Sequence, residues 1–291
     1  MANKNIIAFL SGGLGNQLFI YAAALEQADR LGVNVLADVS WFYKKDKRVY
    51  LLGHLFPNLQ VIGGSSRASR TLSKASSILN RLRKHSVFVE KGFYETKNSF
   101  DDGVFSITEG TRLRGYFQST KYFPSSGALV AEAIRQARVS KEEQSILDDI
   151  CSRPFNAIHV RRGDYFHSPS TRDFHGLTTK EYFEAGSRLF GNSTLPCLVF
   201  SDSPQLARKE LDGVGNFVFD PKILDLGDVA TLKLMSYAKG LVISNSSFSW
   251  WAAYTISQYD SRAVIVTPRP WSKEIDFNHN LIHQNWINLS I

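Results

Sequence analysis

Short apolar runs alternate with longer helical stretches through both halves of the 291-residue chain, and few architectures accommodate that order. In the first half, residues 5–10 read as a strand, 16–31 as a helix and 33–37 as a second strand. Strand-like pieces follow near 87–89 and 111–118, and helical patterns at 127–138 and 141–150 lead to Pro154. In the second half the apolar runs 155–160, 195–201, 216–219, 240–244 and 263–267 are separated by helical stretches at 179–190, 204–211, 229–238 and 248–258. β-Branched runs interleaved with helices predict mostly parallel sheets covered on both faces. The expected class is α/β, with two Rossmann-like, doubly wound domains facing a central cleft. One is expected over 1–152 and the other over 153–291, in line with the length.

Composition narrows the function classes. No stretch reaches the roughly 18 consecutive apolar residues of a membrane span. Met1 to Asn5 run into the strand-like Ile6 to Leu10 with no cleavable signal pattern, so a cytosolic location is expected. Cys151 and Cys197 form no C-x-x-C and are too few for a disulfide framework. The formal charge of +7 is unevenly spread. Arg67, Arg70, Lys74, Arg81, Arg83, Lys84 and Lys91 stand against the single acid Glu90, while Leu72, Ala75, Ile78, Leu79 and Leu82 recur at helical spacing. That pattern argues against a nucleic-acid partner. It fits an ordinary solvated helix face or, alternatively, a peripheral contact of residues 67–84 with an anionic membrane.

The heptapeptide from His159 to Tyr165 directly follows the run Asn156-Ala157-Ile158 and holds Arg161, Arg162, Gly163 and Asp164 at a strand mouth. Guanidiniums match phosphate oxygens two at a time, and glycine lets a backbone approach a ligand closely. Ligands of open α/β sheets bind beyond the carboxyl ends of strands, so the motif reads as a diphosphate site. A salt-bridged, solvated turn is the competing reading. Arg161 is the expected donor to a leaving phosphate, with Arg162 orienting it or sharing the diphosphate. Asp164 could hold the arginines or act as a base, and His167, Asp173 and His175 are further candidates for the base.

Two other strand-to-helix crossings carry polar chemistry. Gly12-Gly13-Leu14-Gly15-Asn16-Gln17 would turn backbone N–H groups and a helix N-terminus toward the cleft. Asp38 lies at a dinucleotide-like distance, but Leu18 occupies the third fingerprint position, which argues against a nicotinamide fold. Asn16 and Gln17 are read as side chains aimed at a sugar or phosphate, with Asn16 as a plain helix cap the alternative. Ser244-Asn245-Ser246-Ser247 precedes Phe248-Ser249-Trp250-Trp251-Ala252-Ala253-Tyr254; the polar part is expected at the ligand and the tryptophans in the core. There is no Asp-x-Asp, His279 and His283 lack the Glu of a zincin, and no G-x-S-x-G elbow occurs.

Taken together, Gly12 to Phe19, Gly115-Tyr116-Phe117-Gln118-Ser119, His159 to Tyr165 and Ser244 to Tyr254 resemble the bacterial α-1,2-fucosyltransferases of glycosyltransferase family eleven. The resemblance spans most of the chain. It implies a GT-B-type enzyme that moves L-fucose from GDP-β-L-fucose to O2 of a terminal β-galactoside, with inversion and without metal or other cofactor. It maps the family's arginine pair onto Arg161 and Arg162. The second half becomes the GDP-fucose side, with His159, Arg161, Arg162, Gly163, Asp202, Asp228, Asn245, Ser246 and Ser247 as donor-binding candidates. The first half becomes the acceptor side, with Gly13, Asn16, Gln17 and Gln118 at the cleft. Relatives often carry an acid where Thr231 stands here, and Asp228, one turn earlier, is the candidate replacement. Another GDP-sugar transferase is the nearest alternative, and a non-catalytic carbohydrate- or nucleic-acid-binding module a more remote one.

Overall fold

The computed structural model describes residues 4–43, 48–64, 91–95, 99–163, 178–191, 194–272, 281 and 283–291. The basic segment 67–84, the strand expected near 87–89, Asp164, His167, Asp173, His175 and His279 lie outside the described residues.

The first sheet contains β1 (Ile6–Phe9), β2 (Val35–Asp38), β3 (Gln60–Ile62), β4 (Gly92–Tyr94) and β5 (Arg112–Arg114) in the order β3-β2-β1-β5-β4, every pair parallel. The second contains β6 (Asn156–Val160), β7 (Cys197–Ser201), β8 (Phe217–Val218), β9 (Gly240–Val242), β10 (Val264–Arg269) and β11 (Ile287–Ser290). Its order is β11-β10-β9-β6-β7-β8, again all parallel. Every residue of β6 is buried, as a central strand covered on both faces requires.

The chain leaves β6 toward one edge, returns to β9 and proceeds to the other edge, so the strand order reverses between β6 and β9. In the first sheet the reversal falls between β1 and β5. Crevices open at such switch points, beyond the carboxyl ends of the strands. The loops that matter are therefore those after β1, β5, β6 and β9.

Among the described residues the α-helices are α1 (Leu14–Leu31), α2 (Ser126–Arg135), α3 (Lys141–Cys151), α4 (Lys180–Arg188), α5 (Pro204–Glu210), α6 (Pro221–Leu224), α7 (Asp228–Met235) and α8 (Ser247–Tyr259). Local chemistry sets several starts. Ser140 and Glu143 form a reciprocal capping box on α3, and Thr179 accepts from the Tyr182 N–H at the head of α4.

Helices α1 and α8 meet at their N-terminal ends and carry an aromatic core between the two sheets. Phe19 lies 4.6 Å from Trp250 and 5.0 Å from Trp251, and Phe123 stacks on Trp251 at 5.4 Å. Both tryptophans are fully buried, and the indole N–H of Trp251 donates to the Gly15 carbonyl at 3.1 Å. They are core residues, and Asn245, Ser246, Ser247 and Phe248 before them line the cleft.

Candidate active site

The four switch-point loops face one cleft of about 690 Å³. Gly12, Gly13, Leu14, Gly15 and Asn16 come from the β1 crossing, and Tyr116 and Gln118 from the turn after β5. His159 and Arg161 follow from β6, and Asn245, Ser246, Ser247 and Phe248 from the β9 crossing. Asp202, Ile223, Leu224, Leu226, Asp228 and Thr231 are among the other residues that line the second-sheet side.

Asp202 organises the loop after β6. Its carboxylate accepts from the backbone N–H of Arg162 at 2.8 Å and of Gly163 at 2.9 Å, and pairs with the Arg161 guanidinium at 2.9 Å. A Cβ at Gly163 would stand 2.4 Å from that carboxylate, which explains the glycine sterically. Ser244 joins the neighbouring strand ends: its hydroxyl donates to the His159 carbonyl at 2.7 Å and accepts from the Arg161 N–H at 3.1 Å. Arg161 is thus fixed at backbone and head, with its side chain still partly open to the cleft.

After the neighbouring strand β9, α8 begins at Ser247 with Ser246 as its N-cap, whose side chain makes no capping bond. The first backbone hydrogen bond of this helix runs from Trp250 N–H to the Ser246 carbonyl at 3.0 Å. The N–H groups of the preceding turn have no intrahelical partner and sit at the positive end of the helix dipole. Arg161 and this helix end line the same cleft, and both offer donors of the kind that suit an anion.

Three expected site residues do not line the cleft. Arg162 is buried, donating to Glu210 at 2.6 Å, to the Arg161 carbonyl at 2.8 Å and to the Thr178 carbonyl at 2.6 Å. The cause is strand parity: along extended chain, Arg161 and His159 face one side while Arg162 and Val160 face the other. Gln17 is fully buried and spends its amide on the Gly12 and Val49 carbonyls and the Leu51 N–H. It pins the loop rather than reaching a ligand. Gly163 is engaged with Asp202. Asn16 stays in the cleft, accepting from the Gln118 amide at 2.8 Å.

The sequence reading also passed over cleft residues, namely Trp41, Arg48, Tyr116 and Trp271, together with the apolar trio Ile223, Leu224 and Leu226. Tyr116 stood inside the Gly115 to Ser119 motif, two residues from Gln118, and the trio showed as apolar residues crowded just before Asp228 in a turn-rich segment, whereas Trp41, Arg48 and Trp271 carried no such signal.

Burial pushes the His159 imidazole down to about 4, and the neighbouring Arg161 and Arg162 charges act the same way against the opposing pull of Asp202. A histidine this reluctant to hold a proton is a poor general base near neutrality. It also has a stability consequence. The unfolded chain binds this proton near the ordinary value of about 6.5 and the folded chain only near 4, so stability falls as pH drops through that window. Urea midpoints measured from pH 7 to 4 are expected to decline less steeply in His159→Gln than in the wild type. Equal slopes would contradict the burial argument.

Two parallel α/β sheets that face each other across a cleft, with polar loops from both switch points lining it, define the GT-B class of transferase. Within that class the chain belongs to glycosyl transferase family 11, whose model matches residues 72–290. It is similar to the Escherichia coli O-antigen biosynthesis glycosyltransferase WbnK, at 26% identity over 96% of this chain and 99% of that protein. It is also similar to an E. coli α-1,2-colitosyltransferase, at 25% identity over 94% of each chain. A Caenorhabditis elegans galactoside 2-α-L-fucosyltransferase matches at 27% identity over 48% of this chain and 41% of its own. Among the described residues, no three His, Cys, Asp or Glu side chains converge as metal ligands, and no helix is long and apolar enough to cross a membrane.

Proposed function

We propose that the chain transfers L-fucose from GDP-β-L-fucose to O2 of a terminal β-galactoside, with inversion, during synthesis of a surface glycan. The observation that carries this reading is Arg161, held by Asp202 and Ser244 in the cleft that the open N-terminus of α8 also lines. Departure of GDP builds negative charge on the β-phosphate, and donors aimed there act most strongly in the transition state. The guanidinium supplies that stabilisation, so transfer is proposed to need no metal. Asn245, Ser246 and Ser247 complete the diphosphate cradle, while Arg162 positions Arg161 from the buried side.

The guanine base is placed against Ile223, Leu224 and Leu226, with the Asp228 carboxylate accepting from its N1–H and 2-amino group and Thr231 beside it. The acceptor hydroxyl then approaches from the first-sheet side, past Gly13, Asn16 and Gln118. It attacks the anomeric carbon opposite the departing diphosphate, giving the α linkage. Asp164 is the leading candidate to take its proton. In this reading residues 1–152 bind acceptor and 153–291 bind donor. A cytoplasmic enzyme acting on a lipid-linked acceptor would use the basic segment 67–84 against an anionic leaflet.

Similarity to a named galactoside 2-α-L-fucosyltransferase supports the fucosyl reading, and similarity to an O-antigen biosynthesis glycosyltransferase supports a role in surface-glycan synthesis. Similarity to a colitosyltransferase favours a second one, in which another GDP-linked sugar is moved on the same scaffold. Calorimetry separates the donor-side elements. Asp228→Asn is expected to weaken GDP binding about 10- to 100-fold, the range for losing a hydrogen bond to a charged group. The wild type should also bind GDP more tightly than IDP, which lacks the 2-amino group. Unchanged GDP affinity in the variant would move the base elsewhere.

A further inference from the structure

The turn after β5 is built at a conformational cost that its place in the sheet does not explain. Phe117 has φ +52°, a left-handed conformation that a bulky side chain rarely adopts and that persists only where the surroundings enforce it. The enforcing group is Glu95. One of its carboxylate oxygens accepts from two successive backbone N–H groups, Tyr116 at 2.7 Å and Phe117 at 2.9 Å. A Cβ at Gly115 would stand 2.4 Å from the Glu95 Cβ, so the glycine permits this close approach. The Phe117 ring is fully buried, edge-on to Tyr122 at 5.2 Å.

The result of that construction lies in the cleft. With Phe117 turned inward, Tyr116 stands outward and 48% exposed, and the Gln118 amide reaches across to Asn16 at the head of α1. Tyr116, Gln118 and Asn16 line the cleft on the first-sheet side, together with Trp41 and Arg48. Arg161, Ser246 and Asp228 line it from the other sheet. An aromatic face bordered by amides suits a pyranose, which has C–H groups on its ring face and hydroxyls at its rim.

We infer that this turn is the acceptor-sugar subsite, with Tyr116 as the face on which the acceptor pyranose stacks and Glu95 as the residue that positions it. The inference rests on the cleft being a site for a GDP-sugar and a glycan acceptor. Tyr116 touches the sugar, whereas Glu95 acts only through the turn. Because the two N–H groups share one Glu95 oxygen, a glutamine can receive both through its carbonyl, whereas an alanine can receive neither.

Steady-state transfer to a β-galactoside, with GDP calorimetry in parallel, tests this. Tyr116→Ala is expected to raise the acceptor KM at least about tenfold, Tyr116→Phe to stay within about threefold of wild type, and GDP affinity to remain unchanged in both. Glu95→Ala should raise the acceptor KM comparably, and Glu95→Gln should recover most of the loss. Tyr116 is exposed, so its variants test the subsite even if Glu95→Ala fails to fold. A wild type that binds no GDP would overturn the functional reading itself. With GDP binding intact, an acceptor KM unchanged in Tyr116→Ala would overturn this inference alone. Weakened GDP binding in that variant would likewise overturn it, by placing Tyr116 against the donor.

Discussion

Arg161→Ala is expected to lower turnover by about 100-fold or more, the scale for removing one preorganised donor at a developing charge. Its guanidinium is held by Asp202 at 2.9 Å and its backbone N–H by the Ser244 hydroxyl at 3.1 Å, so the donor is aimed before substrate arrives. Arg161→Lys should recover little, because an ammonium cannot reproduce two parallel donors on a plane. Asp202→Ala removes the partner of Arg161 together with the acceptor for the Arg162 and Gly163 N–H groups, and should approach the same loss. If Asp202 acts through Arg161, the double variant will be scarcely worse than either single one. Single-turnover rates on folded variants decide this, and near-normal turnover in Arg161→Ala would move the leaving-group site elsewhere.

Gly15→Ala is the second large effect, and it acts on the cleft as a whole. A Cβ there would meet the Ser247 carbonyl carbon at 2.4 Å, the Phe248 nitrogen at 2.5 Å and the Ser247 oxygen at 2.7 Å, all backbone of the first α8 turn. Backbone cannot rotate away as a side chain can, and α8 is anchored behind this turn by two fully buried tryptophans. The helix ends must separate, at a cost of about 1–3 kcal/mol or more for such overpacking. Separation also displaces Ser246 and Ser247 from the loop after β1, so turnover should fall at least about tenfold even below the unfolding range. Gly53→Ala, where a Cβ would meet only the Tyr50 ring at an ordinary 3.6 Å, is the matched control. Wild-type urea midpoint and activity in Gly15→Ala would contradict the close contact.

The alternation of apolar runs with helical periodicity made the two parallel sheets legible, because buried inner strands such as β7 and β9 read as near-continuous apolar runs. The edge strands β3, β4 and β11 were missed. They are short, and much of their surface is exposed, so no hydrophobic period marks them. The expected strand over 111–118 stops at Arg114, since tertiary bonds from Glu95 force a turn that local propensity would not choose. Motif positions were readable, but side-chain directions were legible only where a period was applied. Arg162 shows this: strand parity from His159 already separates it from Arg161. Gln17 shows the opposite, because its partners at Val49 and Leu51 come from a distant loop that no local pattern connects to it. Trp41 and Arg48 escaped for a similar reason, reaching the cleft from the stretch between β2 and β3 that no motif marks.

The most direct test is to incubate the protein with GDP-β-L-fucose and a soluble terminal β-galactoside, in equal competition with other GDP-sugars, and to determine the product by NMR. The account predicts that fucose is transferred preferentially, that the new bond joins it to O2 of galactose, and that its anomeric configuration is α. A product carrying another sugar in preference, a bond to a different hydroxyl, or a β configuration would contradict it.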